Sequence, residues 1–334
     1  MLAIIVKRIG NAALVMLVVA FIAFMIFQFL GDPVQLMLNA QASQEERVAL
    51  RLRLGLDQPV VMQFFSFVIR AVQGDFGISF RNQREVMSLI AERFPATFEL
   101  VMVSTVLALA IGVPLGVFAA INPKNPAARI VRMISMVGVS VPAFVIGIVL
   151  ILVFSVQLGW LPAFGRGEVV QFGTWSTGLL TPSGRLALIM PAISLALFQI
   201  SFIMRLVTAE MLEVLRTDYV KFARARGLPD RIVHFRHALR NCMMPVVTMT
   251  GMLIGDLIAF ALVTETVFQW PGMGLLFVQA VMFIDIPVMA AYLMIVSVIF
   301  ITLNTIVDFI YLAVDPRLRQ TGTGTGTAGG ANVR

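Results

Sequence analysis

Six long apolar stretches punctuate the chain, at 9–30, 98–120, 131–156, 186–204, 243–264 and 288–312. An α-helix rising 1.5 Å per residue needs about 20 such residues to cross a hydrocarbon layer. The pattern therefore predicts an all-α polytopic membrane protein with six transmembrane helices. The first stretch exceeds a signal-peptide core and no small-residue cleavage pattern follows it, so it reads as an uncleaved signal anchor. The fourth is the shortest and carries Pro191 near its start.

Two pieces lie outside this pattern. In 31–97, Val60, Phe64, Phe67 and Val68 predict an amphipathic helix lying against the membrane-domain surface. The tail, 320–334, alternates Thr and Gly before Gly-Gly-Ala-Asn and has no side chains able to form a core; it is expected to be disordered. The division is a first helix over 1–30, an extracytoplasmic insertion over 31–97, a five-helix core over 98–319 and the tail.

Composition agrees. Hydrophobic residues make up 59% of the 334 and charged residues 13%, against roughly 45–50% and about 25% in soluble domains. A disordered chain is excluded and a soluble enzyme disfavoured. The net charge of +7 is explained by topology, with membrane lipid and not nucleic acid as the partner. Lys7 and Arg8, then Lys124, Arg129 and Arg132, then eight cations from Arg205 to Arg240, then Arg317, Arg319 and Arg334, fall on one side. The short connections opposite hold only Arg166 and Arg185, and the long 31–97 segment is exempt. Both termini are expected in the cytoplasm. Trp160, Trp175 and Trp270 fall in or beside the outer connections, where interfacial anchors belong.

The connection 205–242 is the most informative. Met211, Leu215, Tyr219 and Phe222 recur at helical spacing; Gly227 suits a left-handed cap and Pro229 stops continuation. Asp230 then stands at an N-cap position before a second amphipathic helix through Ile232, Val233, Phe235 and Leu239. The product is a helix–corner–helix elbow. It can seat in a partner's groove, or its cations can simply grip anionic lipid.

These residues resemble the membrane subunits of binding-protein-dependent ABC importers of the dipeptide/oligopeptide/nickel class. The resemblance is carried by Lys221-Phe222-Ala223, Gly227-Leu228 and Pro245, where the family's general form has Glu-Ala-Ala before the glycine. It extends through Gly31-Asp32-Pro33, Leu54-Gly55-Leu56-Asp57-Gln58-Pro59, Gly74-Asp75-Phe76-Gly77 and Pro95-Ala96-Thr97-Phe98-Glu99-Leu100. Ser140-Val141-Pro142-Ala143-Phe144, Leu158-Gly159-Trp160-Leu161-Pro162, Glu265-Thr266-Val267-Phe268, Trp270-Pro271-Gly272 and Asp315-Pro316-Arg317 continue it in order, so it covers 1–319.

The resemblance implies the type I importer transmembrane fold. It implies a second homologous permease completing the path, two ATP-binding subunits beneath, and an extracytoplasmic substrate-binding protein. The elbow would be the coupling helix, with Ala223, Gly227 and Leu228 in the seat and Arg224 and Arg226 at its rim. The 31–97 insertion would touch the binding protein or roof the outer mouth. The class carries dipeptides and oligopeptides, and also glutathione, nickel chelates, opines or oligosaccharides.

None of Lys7, Lys124 or Lys221 ends a Gly-rich phosphate cradle, so no cofactor is expected on this chain; ATP and Mg²⁺ would be used by its partners, and the chain is not itself an enzyme. Within the spans, Asp256 lies near the middle of the fifth, where an acid costs about 2.5–3.5 kcal/mol on insertion scales. It is expected to face a wet cavity or the partner permease, where it could meet a peptide's amino terminus. Glu99 is expected at interfacial water, in a structural role ahead of a substrate contact, and Asp308, near the inner end of the sixth span, is expected to pair with a cytoplasmic Arg. His234 and His237 have a metal-compatible spacing, but no acid or Cys in their helix completes a site, so no metal is expected. A secondary transporter is disfavoured by a single central acid and no evident repeat. An intramembrane hydrolase is disfavoured because the chain has no H-E-x-x-H or G-x-S-x-G.

Overall fold

The computed structural model describes residues 2–29, 34, 43–53 and 56–314. The expected tail, 320–334, and the Asp308 side chain lie outside them. The order is α1 (Leu2–Phe29), α2 (Gln44–Arg53), α3 (Val60–Val72), α4 (Val86–Ile121), α5 (Pro126–Ser140) and α6 (Ala143–Gln157). A hairpin of β1 (Val170–Phe172) and β2 (Trp175–Thr177) follows, with Gln171 opposite Ser176. Then come α7 (Pro182–Val214), α8 (Asp218–Ala225), α9 (Asp230–Val267), α10 (Met273–Met282) and α11 (Ile286–Val314).

α4, α7, α9 and α11 are each long and apolar enough to cross a membrane. The bent pair α5–α6 counts as a fifth candidate span, and the apolar stretch Gly10–Ile26 within the 28-residue α1 is the candidate for a sixth. The third span is not the single helix expected over 131–156. It bends by 105° between Ser140 and Ala143, because Pro142 offers no amide donor and holds an extended ψ of 138°. Ser194 Oγ on α7 donates to the Ala143 carbonyl at 2.7 Å, tying the break to its neighbour.

Several helices overrun their apolar windows. α4 begins at Val86 instead of 98, since Val86, Leu89 and Ile90 bury one helical face against Met273, Leu276, Val288 and Met289. α7 begins at Pro182, where Thr181 Oγ1 accepts from the Gly184 amide at 3.1 Å and a first-turn proline costs no hydrogen bond. The elbow's second helix and the fifth span form one 38-residue helix, α9, which runs through Pro245.

The core lies between α4, α7 and α9. Ala96, Leu100, Ala187, Leu188, Leu195, Leu257 and Ala261 fill one end, and Ala108, Ile203, Val207, Met211, Cys242 and Val246 the other. Glycines set the helix separations. A Cβ on Gly112 would lie 3.0 Å from Ile203 and 3.1 Å from the Ile200 carbonyl, and one on Gly255 would lie 2.7 Å from the Phe300 ring. Close packing is what these small residues provide. Trp270 is no interfacial anchor: it is wholly buried, and its indole N–H donates to the Ala96 carbonyl at 3.0 Å.

Candidate functional site

The elbow is built as follows. α7 ends at Val214, Thr217 Oγ1 bonds the Val214 carbonyl at 2.6 Å, and the chain turns into α8. This break separates the stripe expected to run from Met211 to Phe222. Met211 is buried in the main core, whereas Tyr219 and Phe222 are exposed. The inward face of α8 is instead Val220 and Ala223, which pack on Val233 with Leu215 and Leu228 alongside.

Gly227 closes α8 with φ +78°. Its amide bonds the Arg224 carbonyl at 2.9 Å, and the Leu228 amide bonds the Ala223 carbonyl at 3.4 Å. That pairing is a Schellman motif, with Leu228 making the accompanying apolar contact. Asp230 does not cap α9. Pro229 takes that position with an extended ψ of 145°, leaving Asp230 in the first turn, 3.5 Å from Arg224 Nε. Arg224 Nη2 also lies 3.5 Å from His234 Nε2. Opposite, Asn241 Nδ2 donates to Tyr219 Oη at 2.7 Å and to the His237 carbonyl at 3.1 Å.

Of the five elbow residues singled out by sequence, Ala223 is buried within the elbow and Leu228 half-buried, so both hold its shape. Arg224, Arg226 and Gly227 are exposed. The apolar surface actually presented is Phe222, 63% exposed, with Ile232 and Phe235. The Arg226 guanidinium stands over the Phe222 ring at 5.6 Å. A Cβ at Gly227 would meet nothing within 4 Å, so this corner is an open tip.

The end opposite the elbow is held by three buried carboxylates. Glu99, expected at water, is instead buried and ion-paired with Arg166, with the Gly178 amide donating to it at 3.1 Å. Arg166 also donates to Ser176 Oγ and to the Ser176 carbonyl, both at 2.8 Å, and stands over the Trp270 ring. Glu265 accepts from Thr97 Oγ1 at 2.6 Å and from the Leu275 amide at 3.0 Å, capping the start of α10. Asp285 accepts from Ser79 Oγ and, at 3.0 Å, from the Phe80 amide. Sequence reasoning passed over Glu265, Asp285 and Arg166 as individual sites; an acid just before a Trp-Pro-Gly break was the available signal for Glu265. Glu99 thus locks the β-hairpin connection to α4.

Asp256 lies on an exposed stripe of α9 with Met249, Met252, Phe260 and Val263. Their spacing at three and four residues makes one continuous helix face, whose opposite side carries Leu257, Ile258 and Ala261 into the core.

Apolar spanning helices, a helix–corner–helix elbow and an exposed helix face around Asp256 together make the arrangement of a membrane transport subunit. The chain belongs to the family described as the binding-protein-dependent transport system inner membrane component, which matches residues 112–320; the corresponding N-terminal family matches 1–101. It is 36% identical over 320 residues to the glutathione transport system permease protein GsiC of Escherichia coli (strain K12), covering 96% of this chain and 99% of that one. It is 38% identical over 321 residues to a putative peptide transport system permease protein of Brucella abortus (strain 2308), with the same coverage. Its fold matches a chain of the inward-facing MetNI methionine ABC transporter with a TM-score of 0.55 at 20% identity, over 69% of this chain and 97% of that one. The protein is a permease of an ABC importer.

Proposed function

We propose that this chain forms half of an import path for short peptides, completed by a second homologous permease and worked by two ATP-binding subunits that grip the elbow. ATP and Mg²⁺ would be used by those subunits, and a binding protein would deliver substrate at the end closed by the three carboxylates. Both termini and the elbow would face the cytoplasm, where the cation excess of the connecting segments belongs.

The observation that carries this reading is the continuity of α9. Its first turn belongs to the elbow, where Val233 packs under Val220 and Ala223, and its last turn carries Glu265 into the opposite clamp. The helix is π-helical over Val233–Ala238, and its 29-residue α-helical part, Leu239–Val267, spans about 43 Å at 1.5 Å per residue. A push on Ile232 and Phe235, and on Phe222 through its neighbours in the elbow, would be carried along α9 to the Asp256 face. ATP-driven approach of two such elbows would turn the path from inward-open to outward-open, and hydrolysis would reset it.

Peptide substrates are favoured by the relatives named for glutathione and peptide transport. On the stripe of α9, Asp256 supplies a carboxylate suited to a peptide's ammonium group, between apolar residues suited to side chains. The test is purification from the native membrane. Co-isolation with a second permease and ATP-binding subunits, and vanadate-sensitive ATP hydrolysis stimulated by peptide-loaded binding protein, is expected. Isolation of a chain that transports unaided would reject it.

A further inference from the structure

α3 is an unusual helix for a segment outside the spans. Ten of its thirteen residues, Val60–Val72, are apolar, yet none is buried. Its side chains fall into three sectors at 100° per residue. Phe64 and Phe67 face α1: Phe64 meets Phe21 and Phe24 edge-on at 5.9 and 5.5 Å, and Phe67 meets Phe24 at 6.1 Å. Val61, Phe65, Ile69 and Val72 form a second apolar sector, between 56 and 82% exposed. Gln63, Ser66 and Arg70, at i, i+3 and i+7, form a narrow polar edge between them. Gln63 is already committed, donating to the Gln58 carbonyl at 2.8 Å.

We infer that α3 lies in the membrane plane, sunk into the leaflet at the Phe29 end of α1, with lipid acyl chains covering Val61, Phe65, Ile69 and Val72. Depth supports this. Phe24 and Phe21 precede the end of α1 by five and eight residues, so their rings sit about 7–12 Å below it. A helix docked on them lies near the depth of about 5–10 Å at which interfacial helices rest. The spanning α1 on which α3 packs itself exposes Leu14, Leu17, Val18 and Ile22, which lipid must cover. The polar edge points a single cation, Arg70, toward the headgroup layer, as long basic side chains at interfaces do. A water-facing helix would leave a contiguous patch of large apolar groups in solvent.

Spin labels at Val61→Cys, Phe65→Cys and Ile69→Cys, with Ser66→Cys on the polar edge, test this in the full assembly in phosphatidylethanolamine/phosphatidylglycerol nanodiscs. The wild-type chain, whose cysteine Cys242 is buried, is the labelling blank. Expected is high accessibility to oxygen over a water-soluble nickel complex at 61, 65 and 69, with the ratio reversed at 66. Nickel access at all four positions overturns the inference, as does shielding from both reagents, which would mean a protein covers the face. Wild-type protein in nanodiscs doped with a diazirine phospholipid gives a reading free of substitutions: label on the 60–72 peptide is expected, and its absence overturns the inference.

Discussion

Thr97 Oγ1 donates a 2.6 Å hydrogen bond to Glu265 Oε1 across 168 residues of chain, joining α4 to the last turn of α9. The same hydroxyl accepts from the Met273 amide at 2.8 Å, and the other carboxylate oxygen takes the Leu275 amide. One buried acid thus fixes three helices. Gly272 and Gly274 leave the room it needs, since a Cβ on Gly274 would lie 2.9 Å from Glu265 Oε2 and one on Gly272 would run into the carboxylate.

Replacing Glu265 by Ala leaves the Thr97 hydroxyl and the Leu275 amide buried without an acceptor, a penalty of about 1–3 kcal/mol for each such group. Glu265→Ala is expected to melt several degrees below wild type in nanodiscs, with Glu265→Gln intermediate because its amide oxygen still accepts. Equal melting temperatures for all three would remove the clamp from the explanation of the fold.

Breaking a buried ion pair from one side costs about 3–5 kcal/mol, whereas replacing both partners by neutral groups is often close to harmless. Arg166→Met is therefore expected to reduce the yield of folded protein strongly, and adding Glu99→Gln should restore part of it. Size-exclusion recovery reads this directly. No rescue in the double variant would contradict a local electrostatic origin.

At the elbow tip, Gly227→Ala meets no neighbour but must adopt φ +78°, costing about 1–2 kcal/mol. Modest loss of uptake is expected. Gly227→Asp adds a charge to the proposed docking surface, so uptake should be abolished while membrane insertion, seen by protease protection, stays normal. Unchanged uptake with Gly227→Asp would exclude the tip from coupling.

Asp256→Asn keeps the shape of the α9 stripe and removes its charge. Uptake of peptides with a free amino terminus should fall relative to N-acetylated ones, with co-isolation of subunits unaltered. An equal effect on both substrate sets would take Asp256 out of substrate contact.

Hydrophobic runs made the six crossings legible, because a lipid-spanning helix announces itself by length alone. Their ends were less legible. Val86–Arg93 and Pro182–Arg185 are amphipathic or polar segments whose helicity depends on packing partners and caps that the apolar windows do not contain. The elbow's corner was legible in Gly227 and Pro229, but the turn at Thr217 was not, since Met211 and Phe222 keep helical spacing across it. Glu99 read as a water-facing acid because its partner, Arg166, arrives from 67 residues away. Asp285 finds Ser79 across 206 residues, and no local periodicity encodes such meetings.

The most direct measurement is uptake of radiolabelled peptide into proteoliposomes holding either this chain alone or the complete co-purified assembly. With the assembly, uptake should require ATP and the loaded binding protein and should stop with vanadate, while the chain alone should carry nothing. Solute movement through the isolated chain, down or against a gradient, would contradict a conduit half driven through its elbow.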